Sequence, residues 1–483
     1  MSRKIVGPFN RVEGDLEVQL DIEDGVVEKA WVVSPMYRGF EQMLNGKQPV
    51  DAMSYAPRIC GICSVAQSVA AAGALASAQG VSMPANGEYA VNLILANENL
   101  ADHLTHFYLF FMPDFARQIY KDEPWHAVVA ERFTAMQGTA AKDMLPARAQ
   151  FMHLMGILAG KWPHTLAIQP GGTTRSVKVE EKVRMLNILY QFRRFLEQTL
   201  FGDALEHIAG LESAEALQLW MQDEDHRSSD FGLFLNLADA LELHTMGRAT
   251  DHFMSYGVYP CDGDPLFARG VWQGGKLQPL NTDAIREDVS HSWMLNYGEA
   301  RHPFEGLTQP DPDMKDGYSW CKAPRLDGNV VEVGALARQL VNAHPLMCSL
   351  VAQSGGNVRN RVIARLLELA LVTMEMERWV KAIRPNEPFC YLASMPDEAE
   401  GIGLMEAARG SLGHWLKIKH GRILNYQIIA PTTWNFAPRD LQEQPGALEQ
   451  ALVGARIRPG EKTPVAVQHI VRSFDPCMVC TVH

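Results

Sequence analysis

Residues 58–63 read Arg58-Ile59-Cys60-Gly61-Ile62-Cys63, and residues 475–480 read Asp475-Pro476-Cys477-Met478-Val479-Cys480. Each stretch sets two thiols three positions apart, so both sulfurs of a pair can turn toward one ion. Four thiolates together select soft or borderline metals such as zinc, iron or nickel. The residues alone leave a structural zinc site, or cysteines without a metal, as open alternatives. Almost the whole chain lies between the pairs, which weakens a compact zinc-ribbon reading. If the pairs share one metal, the two chain ends meet in the interior and the middle wraps around them. The 483 residues then form one domain, 1–483, rather than the three or so suggested by a domain size of roughly 150 residues.

Working outward from the first pair, Leu16, Val18, Leu20 and Ile22 alternate with Glu17, Gln19 and Asp21, and Asp24-Gly25 leads into Val26 to Val33. That pattern predicts a β-hairpin with one buried face. After Cys63 the period becomes helical, from Ala66 to Ala78 and from about Glu88 to Phe111. Further helices are predicted over Val179 to Ala209, Asp230 to Met246 and Val358 to Ile383. In the last of these, Val362, Leu366, Leu369 and Thr373 share a face that Ile363, Leu367 and Ala370 widen, as in a helix deep in a bundle. Stretches rich in Gly, Pro and Asp at Cys261 to Gly275 and Thr308 to Gly317 read as loops, and these, with the polar patch Asp223 to Asp230, fit surface excursions as well as boundaries. Leu412 to Lys419 and Arg422 to Ile429 flank His420-Gly421, a second hairpin, and a short helix around Val465 to Phe474 delivers the last cysteines. The fold predicted is α+β and predominantly α: a bundle of long helices with small sheets near each terminus.

Hydrophobic residues make up 47% of the chain and charged residues 21%, an ordinary globular composition. The formal charge of -12 repels a phosphate backbone, and no Lys/Arg stripe interleaves with aromatics, so nucleic acid is excluded as a partner. Met1 to Pro8 lacks the apolar core of a signal peptide, and no stretch approaches the roughly 18 apolar residues of a membrane span. Eight cysteines are too few for a disulfide scaffold in a chain this long, which points to a reducing, cytoplasmic setting.

The surroundings of the cysteines add a resemblance. The two cysteine segments, with Arg11-Val12-Glu13-Gly14, Arg38-Gly39-Phe40-Glu41, His106-Phe107-Tyr108, Pro113-Asp114, Glu406-Ala407-Ala408-Arg409-Gly410, Gly413-His414-Trp415 and Pro431-Thr432-Thr433-Trp434-Asn435, resemble in content and order the large subunits of nickel-iron hydrogenases. The resemblance implies that Cys60, Cys63, Cys477 and Cys480 all ligate nickel. Cys63 and Cys480 would also bridge to an iron that carries two cyanides and one carbon monoxide. It implies heterolysis of H2, with Cys477 taking the proton and Glu13 receiving it. Arg409, Asp114 and Asp475 resemble a polar canopy over the metals, and Thr432 the donor to a cyanide. Glu41 and His483, with a backbone carbonyl near Ile428, resemble the ligands of a second ion, usually magnesium. Ile62 and Phe110 stand where the family commonly has the smaller Val and Leu, which would narrow the gas path to the nickel. Cys261, Cys321, Cys348 and Cys390 are scattered and read as packed thiols. Electrons must therefore leave through the iron-sulfur clusters of a small subunit, an obligate partner, and maturation proteins are implied as well.

This chain also departs from the common family pattern. It has Gln67 and Asp15 where many relatives have His, and Ala408 where Pro is common. Gln67 cannot become a cation, though it can still donate a hydrogen bond to a bridging sulfur. With Gln169-Pro170-Gly171-Gly172, these departures resemble the cytoplasmic branch that contains H2-sensing hydrogenases and some uptake enzymes, and the reading favoured is a sensor whose output is signalling through a histidine kinase. The ending at His483 fits a sensor made without a C-terminal extension. An energy-conserving cytoplasmic uptake enzyme is the alternative, and a non-catalytic protein with a zinc-thiolate site is a remote one.

Overall fold

The alternating run Leu16, Val18, Leu20 lies fully buried in a three-stranded antiparallel sheet of strands Ser2–Val6, Glu17–Glu23 and Val26–Val33. Between the last two, Asp24 and Gly25 both take positive φ (50° and 77°), the backbone hand that a tight hairpin turn demands. The computed structural model describes residues 2–261, 263–458, 460–461 and 463–483. Ser2–Val6 was not among the predicted strands, because it is an edge strand whose Ile5 points out, 60% exposed, and so lacks an apolar alternation.

Helices form the body. Val358–Ala382 runs 25 residues, and all seven side chains predicted for its buried faces are buried. Its N-terminus is capped by Asn357, whose side chain accepts from the Asn360 amide. It packs on Ala85–Thr105, which continues as a π-helical turn through Phe111. Two predicted helices are interrupted. The stretch from Val179 stays α-helical to Phe195, makes a π turn through Phe201 and stops at Gly202 (φ 67°), before the short helix Leu205–Ala209. Asp230–Ala240 ends where Glu242 adopts a left-handed conformation (φ 52°), so the pattern to Met246 overran it.

Most of the stretch Cys261 to Gly275, in which Asp262 lies outside the described residues, is a strand rather than a loop. Asp264–Gln273 pairs with His252–Cys261 on one side and Lys276–Gln278 on the other, with Val258 opposite Phe267 and Phe253 opposite Trp272. Three of its four glycines mark the turns at either end, Gly263, Gly274 and Gly275, all with positive φ, while Gly270 pairs with Ser255 within the strand. The predicted C-terminal hairpin is present as Gly410–Lys419 and Arg422–Ile429, with Ala399–Ala407 added as a third strand. Val465–Ser473 is the helix before the last cysteines. No helix among the described residues is long and apolar enough to cross a membrane.

Two backbone features place the functional site. Helix Ser64–Gln79 lies directly on strand Ala399–Ala407, because Gly401 and Gly403 have no side chains there. A Cβ at Gly403 would sit 1.9 Å from the Ala70 carbonyl oxygen, and one at Gly401 2.1 Å from that of Ala74. The chain ends are also laced together. The Met478 amide donates to the Glu13 carbonyl (2.7 Å), the Glu13 amide to that of Pro476 (3.4 Å) and the Arg38 amide to that of Val482 (3.2 Å). Gly403→Ala should lift the helix off the sheet and cost roughly 1–3 kcal/mol or more by overpacking. Gly156→Ala, at a helical position with open space around it, should be neutral or stabilising. Equal melting temperatures for the two variants would show that the contact does not constrain the fold.

Candidate metal centre

The first cysteine pair is presented by a helix start and the second by a strained turn. A 3-10 turn Ala56–Ile59 leads to extended Cys60, and Cys63 is the residue that opens helix Ser64–Gln79, where the helix dipole favours a thiolate. Asp475 adopts φ 56°, unusual for a residue with a side chain, and reverses the chain so that Cys477 and Cys480 face back inward. The sulfurs converge. Cys63 Sγ lies 3.1 Å from Cys480 Sγ, Cys477 Sγ lies 3.2 Å from Cys480 Sγ and 3.5 Å from Cys60 Sγ, and all four are buried within 4.8 Å of one another. These separations are far from the roughly 2.05 Å of a disulfide, and none of the eight cysteines is joined in a disulfide.

The donor set fits a soft cation. Hydrogen sharing with Cys477 and the other sulfurs, together with burial, pushes Cys63 and Cys480 well above the ordinary thiol range, whereas Cys60 is drawn well below it by hydrogen bonds from Cys477 and its neighbours. One sulfur can ionise alone, but four cannot without a positive charge among them. Among the described residues these four are the group of metal-binding side chains that converges.

The main chain of Glu13 forms a parallel bridge with Cys477, so its side chain starts beside the cluster. Burial, and then the charge of Cys60, raise its carboxyl above the ordinary range. Thr432 accepts a hydrogen bond from the Cys477 amide (3.0 Å), which leaves its own hydroxyl proton to donate elsewhere. Gln67, one helical turn beyond Cys63, places Nε2 4.0 Å from Cys480 Sγ. Ile62 is half-buried in the cysteine loop. Phe110 is half-buried in the π turn, and its carbonyl accepts from Arg11.

The canopy differs from the expected set. Arg409 is fully buried, and its guanidinium is held by the Asp475 carbonyl (2.9 Å), Asp475 Oδ1 (3.1 Å) and both carboxylate oxygens of Asp102. Asp114 does not join it. That carboxylate pairs instead with Arg11, with Arg472 (2.5 Å) and with His469 (3.5 Å). Burial alone would raise Asp114, but the His469 hydrogen bond and the nearby cations hold it well below the usual range. Asp102 escaped sequence reading because it is one of many polar residues along its helix, and nothing local marks it out from Asn97, Glu98, Asn99 or His103. A signal was nevertheless present: Glu98, Asp102 and His106 recur every four residues and form one polar, buried stripe. Glu98 accepts from the Val65 and Ala66 amides (both 3.0 Å) at the helix opened by Cys63, and His106 Nε2 contacts the Arg472 carbonyl (2.6 Å). Burial pushes Asp102 up to about 7 even beside Arg409. Asp475 would also be raised by burial, but Arg409 and His106 hold it below the ordinary range.

Glu41 and His483 meet, with Nε2 3.2 Å from Oε1, and His483 Nδ1 contacts the Cys480 carbonyl (2.6 Å). The Ile428 amide donates to Glu41 Oε1 (2.8 Å), which brings the end of strand Arg422–Ile429 to the same carboxylate. Sequence reading also missed Lys322, whose ammonium lies 3.1 Å from Glu41 and 2.8 Å from Glu287. Two buried carboxylates share this one ammonium, and Glu287 is raised by burial and by Glu41 despite it. The pocket is thus one positive charge short, which fits a cation at Glu41 and His483.

A family model described as nickel-dependent hydrogenase matches residues 38–137 and 141–483. The chain belongs to that family. It is an enzyme, an oxidoreductase acting on H2, and its thiol cluster fits the family's nickel. Similar proteins include the periplasmic [NiFeSe] hydrogenase large subunit of Desulfomicrobium baculatum, 30% identical over 99% of this chain and 94% of that one. The uptake hydrogenase large subunit of Rhodobacter capsulatus is 27% identical over 100% and 95%. A structure of the Ni-Fe-Se hydrogenase from D. vulgaris Hildenborough in the reduced state superposes with a TM-score of 0.85, at 30% identity and complete coverage of both chains. This hydrogenase should tell its two aspartates apart. Asp102→Ala strips Arg409 of one of its carboxylates and should cost on the order of 3–5 kcal/mol, with loss of bound nickel. Asp114→Ala should destabilise comparably but retain more nickel. Equal nickel loss at equal loss of melting temperature would return Asp114 to the canopy.

Proposed function

We propose that this chain is the catalytic large subunit of a cytoplasmic nickel-iron hydrogenase of the H2-sensing type, paired with an iron-sulfur small subunit. The carrying observation is the convergence of four buried thiols from both chain ends beneath Arg409 and beside Glu13. Cys60, Cys63, Cys477 and Cys480 would hold nickel, and Cys63 and Cys480 also an iron with two cyanides and one carbon monoxide. When bound, this centre supplies heterolytic cleavage of H2 into hydride and proton.

The chain's own groups then manage the proton and the surroundings. The Cys477 sulfur takes the proton and passes it to the Glu13 carboxylate, whose raised pKa narrows the gap to a thiol. Arg409, fixed by Asp102 and Asp475, presents a planar cation that cannot lose its proton. The Thr432 hydroxyl, anchored through its oxygen, would donate to a cyanide. Glu41 and His483 would hold magnesium, for which the two buried carboxylates sharing Lys322 speak. Ile62 and Phe110 narrow the gas path. Electrons leave through the clusters of the small subunit, and maturation proteins install the metals.

The sensing role, with a histidine kinase as the further partner, is supported by Gln67 at the Cys480 sulfur, where many relatives carry an ionisable histidine. That none of the eight cysteines is joined in a disulfide accords with a reducing compartment. An energy-conserving uptake role is the second reading, favoured by similarity to the R. capsulatus uptake enzyme. Glu13→Gln should keep full nickel and iron content and the infrared bands of iron-bound carbon monoxide and cyanide, yet lose most H/D exchange. Wild-type exchange in that variant removes Glu13 from the proton path. Absence of those bands in the wild-type complex, with zinc bound instead, overturns the hydrogenase centre. Slow steady turnover and a stable complex with a kinase separate sensor from uptake enzyme.

A further inference from the structure

Behind Gln67 stand two residues that the proton chemistry does not use. His414 lies on strand Gly410–Lys419 and Tyr426 on strand Arg422–Ile429. Because His414 pairs with Ile428, Tyr426 falls two residues along on the same face, a diagonal neighbour across the strands. The Tyr426 hydroxyl is 2.8 Å from His414 Nδ1, and His414 Nε2 is 2.9 Å from Gln67 Oε1. Gln67 Nε2 in turn faces Cys480 Sγ at 4.0 Å. Gln67 and Cys480 are 1% and 2% exposed, and His414 and Tyr426 are 0% exposed, so bulk water does not compete for these groups.

The chain has only two self-consistent arrangements. Burial keeps the His414 ring neutral, so it carries a single N–H. In one arrangement the Tyr426 hydroxyl donates to Nδ1, Nε2–H donates to Gln67 Oε1, and the amide NH2 is left for the sulfur. In the other every donor is reversed, and the Gln67 carbonyl faces the sulfur. A metal-bound thiolate has no hydrogen to give and repels a carbonyl oxygen, so it accepts only the first.

We propose that His414 and Tyr426 are positioning residues that hold the Gln67 amide with its NH2 toward the Cys480 sulfur. This rests on the reading of Cys480 as a thiolate shared by nickel and iron. The chain replaces the ordinary indifference of an amide to its two orientations with one fixed donor. It also polarises that donor through two further hydrogen bonds. The donor withdraws electron density from the sulfur and so from the iron. The Gly401 and Gly403 contact is what lets helix Ser64–Gln79 approach the sheet closely enough for Gln67 to reach His414.

The test is infrared spectroscopy of the purified large–small subunit complex, reading the stretching bands of iron-bound carbon monoxide and cyanide. Gln67→Leu should move the carbon monoxide band to lower wavenumber, because a sulfur freed of its donor returns density to the iron. His414→Ala should move it the same way by a comparable amount, and Tyr426→Phe by less. His414→Gln, whose side-chain nitrogen can stand in for Nε2, should bring the band back toward wild type, which a merely structural role would not produce. Should His414→Ala fail to assemble, Tyr426→Phe decides, since it removes one hydroxyl and keeps the ring. Bands unmoved in the His414 and Tyr426 variants while Gln67→Leu shifts them would overturn the proposal, as would bands unmoved in Gln67→Leu itself. Wild-type complex without any such bands would instead overturn the reading of the centre, and the proposal with it.

Discussion

Four sulfurs within 4.8 Å of one another, in a place closed to water, cannot all ionise unless a cation lies among them. That requirement organises the molecule. Two sulfurs come from near each end of the chain, so folding must bring both ends to one interior point. The hydrogen bonds between Glu13 and the Pro476–Met478 segment, and between Arg38 and Val482, do this by β-like pairing rather than by side-chain packing. Backbone pairing sets a register. Glu13 stands opposite Cys477 because the pairing fixes it there, which places a carboxyl beside a thiol without any loop having to close over it.

The buried charges around this point are too many to be read as simple stabilisers, since desolvation offsets much of what each pair gains. Their arrangement is better understood as positional. Arg338, buried against Glu368 and Glu406, also donates to the carbonyls of Ala407 and Ala408. It thereby fixes the two residues that precede Arg409. Arg361 is matched by Glu332, and Arg365 donates to the Ser473 carbonyl at the end of the helix that leads to Asp475. Each guanidinium thus pins a stretch of main chain next to the site. The cost is a set of carboxylates with opposite tendencies, Asp102 raised and Asp475 lowered beside one cation.

Helix Ala85–Thr105 ties these parts together. Its Glu98 holds the start of the helix opened by Cys63, its Asp102 holds Arg409, and His106 just beyond it reaches the Arg472 carbonyl. One rigid element thus references both cysteine segments and the canopy to a common axis, with residues four apart stacked along one face. A sheet on the other side does the same for Gln67, His414 and Tyr426.

The sequence by itself determined the two hairpins, the long central helices and the ligand cysteines, because a strict period of two, a period near 3.6 and paired thiols are local signals that survive burial. It also determined Glu41 and His483 as neighbours only through a family resemblance, since nothing local relates residue 41 to the last residue. Tertiary structure alone decided which aspartate serves Arg409. Pro113-Asp114 stood in a recognisable motif, yet Asp114 is drawn away by Arg11, Arg472 and His469, while Asp102, one polar residue among several in its helix, is the one that meets Arg409. Asp264–Gln273 became a strand because Phe267 and Val271 find a buried face against a partner strand, which composition cannot reveal. Lys322 and the His414–Tyr426 pair were invisible for the same reason: a buried polar group acquires its role from the partners it meets, and those partners lie far away along the chain.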